Sequence, residues 1–156
     1  MIQQLTSNDI LSCSNLMSDT WNMDEYKGYE RNEGYWIAGL IQVVTQAAYD
    51  PKFVAVKVVD DNGKIKAFMT ATTYHENYSG KAVMDVRDMI VDYNCDTNPQ
   101  DVIACMDYLI AHCKKNGVKD WRADSIHSEK HAKAYANFLN NNYDGHIRYG
   151  FRGEIK

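Results

Sequence analysis

The residues able to do chemistry are scattered along the chain rather than gathered in one motif. Cys13, Cys95, Cys105 and Cys113 include no C-x-x-C pair. Cys105 and Cys113 fall in a helical pattern, where a thiol ordinarily serves as a small buried hydrophobe. In His127-Ser128-Glu129-Lys130-His131 the two histidines would share one face of a helix. The glutamate falls one place late for H-E-x-x-H, and two ligands do not close a zinc site. Solvated residues at a helix start are the ordinary reading, and no metal is expected. Ser125 with His127, or a cysteine with His112, could be drawn as nucleophile and base, but a triad is recognised by geometry that spacing does not supply.

Two other groups carry more. Asp85, Arg87, Asp88 and Asp92 interrupt the otherwise apolar run 82–93, and Glu76 stands at its entrance. In a regular strand Asp85 and Asp88 differ in parity, so they are expected on opposite faces and cannot both line one cleft. Each could equally be a surface carboxylate paired with Arg87 or a lysine. The second group runs from Trp21 to Trp36 and includes Tyr26, Tyr29 and Tyr35 with Asp24, Glu25, Glu30 and Glu33. Its acids would favour a cationic amine and its aromatics could wall a pocket. A helix packed on a sheet with solvated charges, or an aromatic homodimer contact, fits the same composition.

Such groups need a core to hold them, and 156 residues, 45% hydrophobic and 24% charged, suffice for one globular domain spanning 1–156. No run approaches the roughly 20 apolar residues of a membrane span. The first residues lack the basic and apolar regions of a secretory signal, so a cytoplasmic protein is expected. A net charge of −4 argues against affinity built on phosphate neutralisation, and no nucleic-acid partner is expected.

The elements follow from periodicity. Residues 2–6 read as a strand, and Ser7-Asn8-Asp9 offers helix caps before Ile10, Leu11, Leu16 and Met17. A second helix carries Ile37, Leu40, Ile41 and Val44 and ends before Asp50-Pro51, because the residue preceding proline is pushed out of the helical region. Strands 53–59 and 65–74 flank Asp60-Asp61-Asn62-Gly63, a hairpin turn. Ile65, Ala67, Met69 and Ala71 alternate with Lys66, Phe68, Thr70 and Thr72, which predicts a half-exposed strand. After a loop at 77–80, residues 82–93 form a longer strand. Asn98-Pro99 then starts a helix, with Asn as cap and proline at the first position, and Lys114-Lys115-Asn116-Gly117 stops it. Val102, Ile103, Met106, Leu109, Ile110 and Cys113 are its expected buried stripe. A short strand at 118–126, a helix at 129–141 and a strand or hairpin at 146–155 complete the chain.

This order resembles the GNAT N-acetyltransferase superfamily over nearly the whole chain. The fold class implied is α+β, a mixed and mostly antiparallel sheet flanked by helices. Met89-Ile90-Val91 sits where that family's central strand carries an apolar run, and Ala134-x-x-x-Phe138-x-x-x-Asn142-Tyr143 resembles its A-x-x-x-Y-x-x-x-G-F helix and exit. The helix after Pro99 is long enough to cross over and place 121–125 parallel to 86–93. In the family those strands splay and the pantetheine arm of acyl-CoA inserts between them.

The resemblance implies acyl transfer from acetyl-CoA or another acyl-CoA to a small-molecule or protein amine. Asp88, with Glu76 or Asp85 as alternatives, would take the proton of the acceptor amine. Met89, Ile90, Val91, Thr97, Asn98, Gln100, Asp101 and Val102 would meet the acyl-CoA, and Trp21, Tyr26, Tyr35 and Trp36 the acceptor. Two departures stand out. The family's Q/R-x-x-G-x-G/A loop, whose glycines admit close backbone approach to pyrophosphate, is replaced by Asn94-Cys95-Asp96-Thr97-Asn98-Pro99-Gln100-Asp101. That loop has no glycine, and Asp96 and Asp101 would repel phosphate, so anion binding at the helix start is weakened. Phe138 stands where the family has the tyrosine that protonates the CoA thiolate, leaving Tyr135 and Tyr143 as substitutes. A GNAT-like fold that has lost catalysis and serves in binding or structure is the alternative.

Overall fold

The structure, a computed structural model, describes residues 1–22, 32–92, 94, 99–123 and 129–143. They fall in two compact units, Met1–Asp124 and Ser125–Lys156. In the first unit a five-stranded sheet has the order β1 (Ile2–Gln4), β2 (Phe53–Val59), β3 (Ile65–His75), β4 (Ala82–Val91), β5 (Asp120–Ala123). Helices α1 (Ile10–Trp21) and α2 (Glu33–Ala47) lie between β1 and β2 in sequence, and α3 (Pro99–Lys115) connects β4 to β5. All pairings are antiparallel except β4 with β5. That parallel pair needs a long crossover, and α3 supplies it.

The order and the parallel pair agree with the sequence reading, but the register does not. β5 lies against Val83–Val86 rather than farther along β4, and it begins at Asp120. Asn32 caps α2, its Oδ1 accepting from the Tyr35 N–H at 2.9 Å, so this helix begins ahead of the apolar periodicity that marks its body. At the β2–β3 turn Asp60 Oδ1 accepts the N–H groups of Asn62 and Lys64, both at 2.9 Å, and Gly63 takes a φ of 82°. The side-chain carboxylate thus serves the turn as a local acceptor.

β3 is not half-exposed as its alternation suggested. Phe68 and Thr70 are as fully buried as Ala67, Met69 and Ala71. The reason is its place at the centre of the sheet, with helices on both faces. On one face Ala55, Val59, Ile65 and Phe68 pack with Cys13 and Leu16 of α1 and Leu40, Val43 and Val44 of α2. On the other lies α3, which contacts β2, β3 and β4 and buries Cys105, Met106, Leu109 and Cys113. Val102, Ile103 and Ile110, expected in that stripe, are only half-buried at its margins. Burial pushes the Cys13 and Cys105 thiols up to about 12 and raises Cys113 as well, so all three are apolar packing rather than reagents. Cys95 lies outside the described residues.

The second unit is described as one helix, α4 (Glu129–Tyr143), two residues longer than the periodicity indicates. Leu139 is buried, the Phe138 and Tyr143 rings meet edge to face at 6.0 Å, and Asn142 donates to the Phe138 carbonyl at 2.8 Å. The expected terminal strand or hairpin at 146–155 lies outside the described residues. Among the described residues no helix is long and apolar enough to cross a membrane.

The start of α1 is tied to the sheet by charge. Asp9 Oδ2 accepts the Thr6 N–H at 2.8 Å and the Thr6 hydroxyl at 2.9 Å, while Oδ1 takes the Lys57 ammonium of β2 at 2.6 Å. Partial burial pushes the Asp9 carboxyl up, but the hydrogen bonds from Lys57 and Thr6 outweigh it and hold the group below the usual carboxylate value. Because the folded value lies below the unfolded one, this stabilisation is complete above about pH 4–5 and is lost as pH falls through the folded value. Asp9→Asn is expected to lower stability at pH 7 by roughly 1–3 kcal/mol, since it also leaves Lys57 unpaired. Urea denaturation at pH 7 and at pH 3 should show the gap between wild type and variant closing in acid. An equal gap at both values would refute the assignment.

Candidate active site

The geometry of the site begins with one extra residue in β4. Thr70 faces Asp88 and Ala71 faces Val86, so Arg87 has no partner on β3 and forms a β-bulge. The bulge overturns the parity expectation for the two carboxylates. Asp85 lies opposite Thr72 and Asp88 opposite Thr70, and those threonines share a face of β3, so both aspartates lie on the side covered by α1 and α2. A trace of this exists in the sequence: the apolar series Met84, Val86, Met89 skips a residue, and a period-2 strand cannot do that without a bulge.

The two aspartates sit in different surroundings. Asp88 is half-buried, and its Oδ1 accepts the indole N–H of Trp36 at 2.9 Å. Its Oδ2 accepts the hydroxyl of the buried Thr70. The Trp36 ring stacks at a tilt on Phe68, 6.3 Å between centroids, which fixes the indole over the sheet. Neither contact brings a cation, so a carboxylate with remaining acceptor capacity is held in place by two neutral donors. Asp85 instead takes Arg122 Nε of β5 at 3.0 Å, and that guanidinium also lies 5.5 Å from the centre of the Tyr74 ring. Asp85 is therefore the carboxylate in an ordinary ion pair, with Arg122 rather than with Arg87 or a lysine.

Glu76 is not brought to Asp88. It belongs to the β3–β4 turn, where it accepts the Ser79 hydroxyl at 2.8 Å. At ~3.3 Å per strand residue the six positions from Thr70 to Glu76 span roughly 20 Å. Of the aromatic residues expected at an acceptor site, Trp36 reaches Asp88, Tyr35 is exposed, Trp21 is half-buried at the end of α1, and Tyr26 lies outside the described residues. Tyr143 is on α4 against Phe138, and the Tyr135 side chain lies outside the described set.

Met89, Ile90 and Val91 pair with Met69, Phe68 and Ala67 of β3 and run past the described end of β5. Among the described residues no strand lies on the other edge of that stretch. Beyond it the chain charges are compensated in a way that spacing did not reveal. The buried Asp92 accepts the Asn94 N–H at 3.0 Å and pairs with Lys64 at 2.7 Å. The buried Asp101 has Lys66 Nζ at 2.8 Å from Oδ2, an ion pair whose angles fall outside those of a hydrogen bond. Asp101 is thus folded back onto a lysine of β3, and its negative charge is offset where the sequence suggested an open repulsion. Gln100 is exposed and Val102 half-buried in the first turn of α3, while Asp96, Thr97 and Asn98 lie outside the described residues. The same holds for Ser125 and His127.

Trp36→Phe keeps an aromatic ring beside Phe68 but removes the N–H together with part of the indole's bulk, so the bond to Asp88 is isolated by comparing two backgrounds. The substitution is expected to destabilise by roughly 1–3 kcal/mol, as for a hydrogen bond to a charged group. In an Asp88→Ala background the same substitution should lose most of that effect, and a double-mutant cycle by urea denaturation reads the difference. Equal effects in both backgrounds would show that the indole serves packing alone.

No protein-family model matches the sequence, and no curated protein does. Solved structures do match in fold. An acetyltransferase from Trypanosoma brucei superposes with a TM-score of 0.68 at 16% identity, covering 99% of both chains. An aminoglycoside acetyltransferase from an uncultured soil metagenomic sample gives 0.68 at 15% identity, covering 100% of this chain and 96% of its own. Glucosamine-6-phosphate N-acetyltransferase from Arabidopsis thaliana gives 0.66 at 15% identity, covering 99% of this chain and 98% of its own. With its mostly antiparallel sheet, its one parallel pair and its crossover α3, the chain has the fold of the GNAT N-acetyltransferases.

Proposed function

We propose that the chain, read as one domain over 1–156, is an N-acyltransferase that moves an acetyl or other acyl group from acyl-CoA to an amine. The observation that carries this reading is Asp88, a half-buried carboxylate beside the bulge, held by Trp36 and Thr70 and paired with no cation among the described residues. It stands on the strand whose next residues, Met89–Val91, offer an edge to an extended ligand. The neighbours of this fold include proteins named for aminoglycoside, glucosamine-6-phosphate and ribosomal-protein-alanine acetylation, so the acceptor in this reading is a small-molecule or a protein amine.

In this reading the acceptor arrives as an ammonium, and Asp88, directly or through one water, takes a proton from it. The freed nitrogen attacks the thioester carbonyl carbon. A C–N bond forms, the C–S bond breaks, and the sulfur leaves with the electron pair and collects a proton. Backbone N–H groups along Met89–Val91 would orient the acyl carbonyl and the pantetheine amides. Tyr143 or Tyr135 would supply the final proton, since Phe138 has none to give. The buried thiols take no part, because a thiol raised to about 12 is not a nucleophile at neutral pH.

The residues at the start of α3 suit a CoA pyrophosphate in part. Pairing of Asp101 with Lys66 offsets one of the two acids expected to repel phosphate, Asp96 lying outside the described residues, yet the glycine-free stretch denies close backbone approach. That stretch also favours a second reading, a GNAT-like binding protein without catalysis. The cell interior, where acyl-CoA is held, is the proposed location.

Isothermal calorimetry with acetyl-CoA is expected to give a Kd of tens of micromolar or poorer, about −6 kcal/mol. Absence of binding at millimolar acetyl-CoA would move the assignment to the non-catalytic reading. If an amine panel assayed for CoA release yields a substrate, Asp88→Asn should lower kcat by roughly 10²–10⁴-fold, as for loss of a general base. Unchanged turnover would remove Asp88 from that role. Tyr143→Phe and Tyr135→Phe assayed beside it identify the acid by whichever lowers kcat.

A further inference from the structure

Arg87 is the residue that the bulge adds, and the chemistry above does not use it. Its side chain is exposed, and it makes no ion pair or hydrogen bond among the described residues. The acids near it in sequence are committed elsewhere, Asp85 to Arg122 and Asp92 to Lys64. Its Nη2 lies 3.5 Å from where a Cβ on Gly39 would stand, so the guanidinium runs along α2 over a position without a side chain. Gly39 is three residues on from Trp36, which contacts Asp88. Three residues advance a helix by ~4.5 Å, so Arg87 and Asp88 meet one face of α2 at successive turns. Consecutive residues of a regular strand point to opposite faces, and only the bulge allows this pair to share one. Yet the two do not pair with each other, which leaves a cation and an anion side by side with free capacity.

We infer that Arg87 and Asp88 together select an acceptor that carries its own negative group: a small amine bearing a carboxylate or a phosphate. The inference rests on the acyltransferase reading. Asp88 takes the ammonium, and Arg87 takes the acid through its planar fork, which matches two oxygens of either anion at once. An acceptor held at both ends has its nitrogen fixed, and that orientation is what a direct attack requires.

The test compares matched acceptors with acetyl-CoA: β-alanine against β-alaninamide for a carboxylate, and ethanolamine phosphate against ethanolamine for a phosphate. The wild type is expected to favour one anionic member over its neutral partner. Arg87→Gln should cut that preference by about 10–100-fold, chiefly through KM, as for loss of a charged hydrogen-bonded pair. Arg87→Lys should restore part of it. Gly39→Leu keeps the charge but fills the place where the guanidinium lies, and should raise KM for the anionic acceptor. Calorimetry of the anionic acceptors on wild type and Arg87→Gln, without acetyl-CoA, separates the two claims. Binding that depends on Arg87 without any acyl transfer supports the anion site and removes the acyltransferase reading. Transfer whose anionic preference is the same in wild type and Arg87→Gln, or absent from both pairs, overturns the inference and leaves that reading in place. Neither binding nor transfer overturns both.

Discussion

The inserted residue in β4 is the constraint on which the arrangement depends. Before it, β4 turns Met84 and Val86 toward α3; after it, Met89 must return to that same face, and the strand can keep its apolar side only by absorbing one residue. Without the bulge, either the core residues or Asp88 would be inverted, since a one-residue slip moves every side chain to the other face. The bulge therefore reconciles two demands that a regular strand cannot meet together: a continuous hydrophobic contact with α3 and a carboxylate beneath α2. It also bends the strand just past the point where the described pairing with β5 ends, which suits a sheet that opens there.

Charge is handled differently in different parts of the first unit. Asp9, Asp92 and Asp101 each meet a lysine, from β2, the turn or β3, and each such pair ties a loop or helix start to the sheet. Asp88 meets an indole and a hydroxyl instead. A carboxylate paired with lysine has its charge cancelled and little left to offer; one held by neutral donors keeps its charge and is still fixed in direction. The contrast separates acids that fasten the fold from the acid that the fold presents. Arg122, spread between Asp85 and Tyr74, belongs with the fasteners and closes the short parallel pair across three strands.

Much of this was legible in the sequence, and what was not has identifiable causes. The hairpin at Asp60–Gly63 and the helix opened by Pro99 could be read directly, because turn chemistry and proline's geometry act within a few residues. The parallel placement of the strand after α3 beside β4 followed from the length of the crossover. Asp88 could be named but not distinguished from Asp85, because parity was counted across a strand assumed regular. The covering of β3 on both faces was missed because alternation in Lys66, Phe68, Thr70 and Thr72 looks the same whether the second face meets water or a helix. The pairings Lys64–Asp92 and Lys66–Asp101 join residues 28 and 35 positions apart, across β3 and β4, and no local pattern encodes them.

The three described thiols have a use that is independent of any reaction. Cys13 on α1 and Cys105 and Cys113 on α3 are buried in layers on opposite faces of the sheet, and each is held as the unreactive protonated form. Alkylation of such a thiol must wait for its helix to lift. The labelling rate of Cys13 would thus clock the opening of the α1–α2 layer, and the rates of Cys105 and Cys113 that of α3. The molecule carries, in its own native sequence, a separate stopwatch for each side of its sheet.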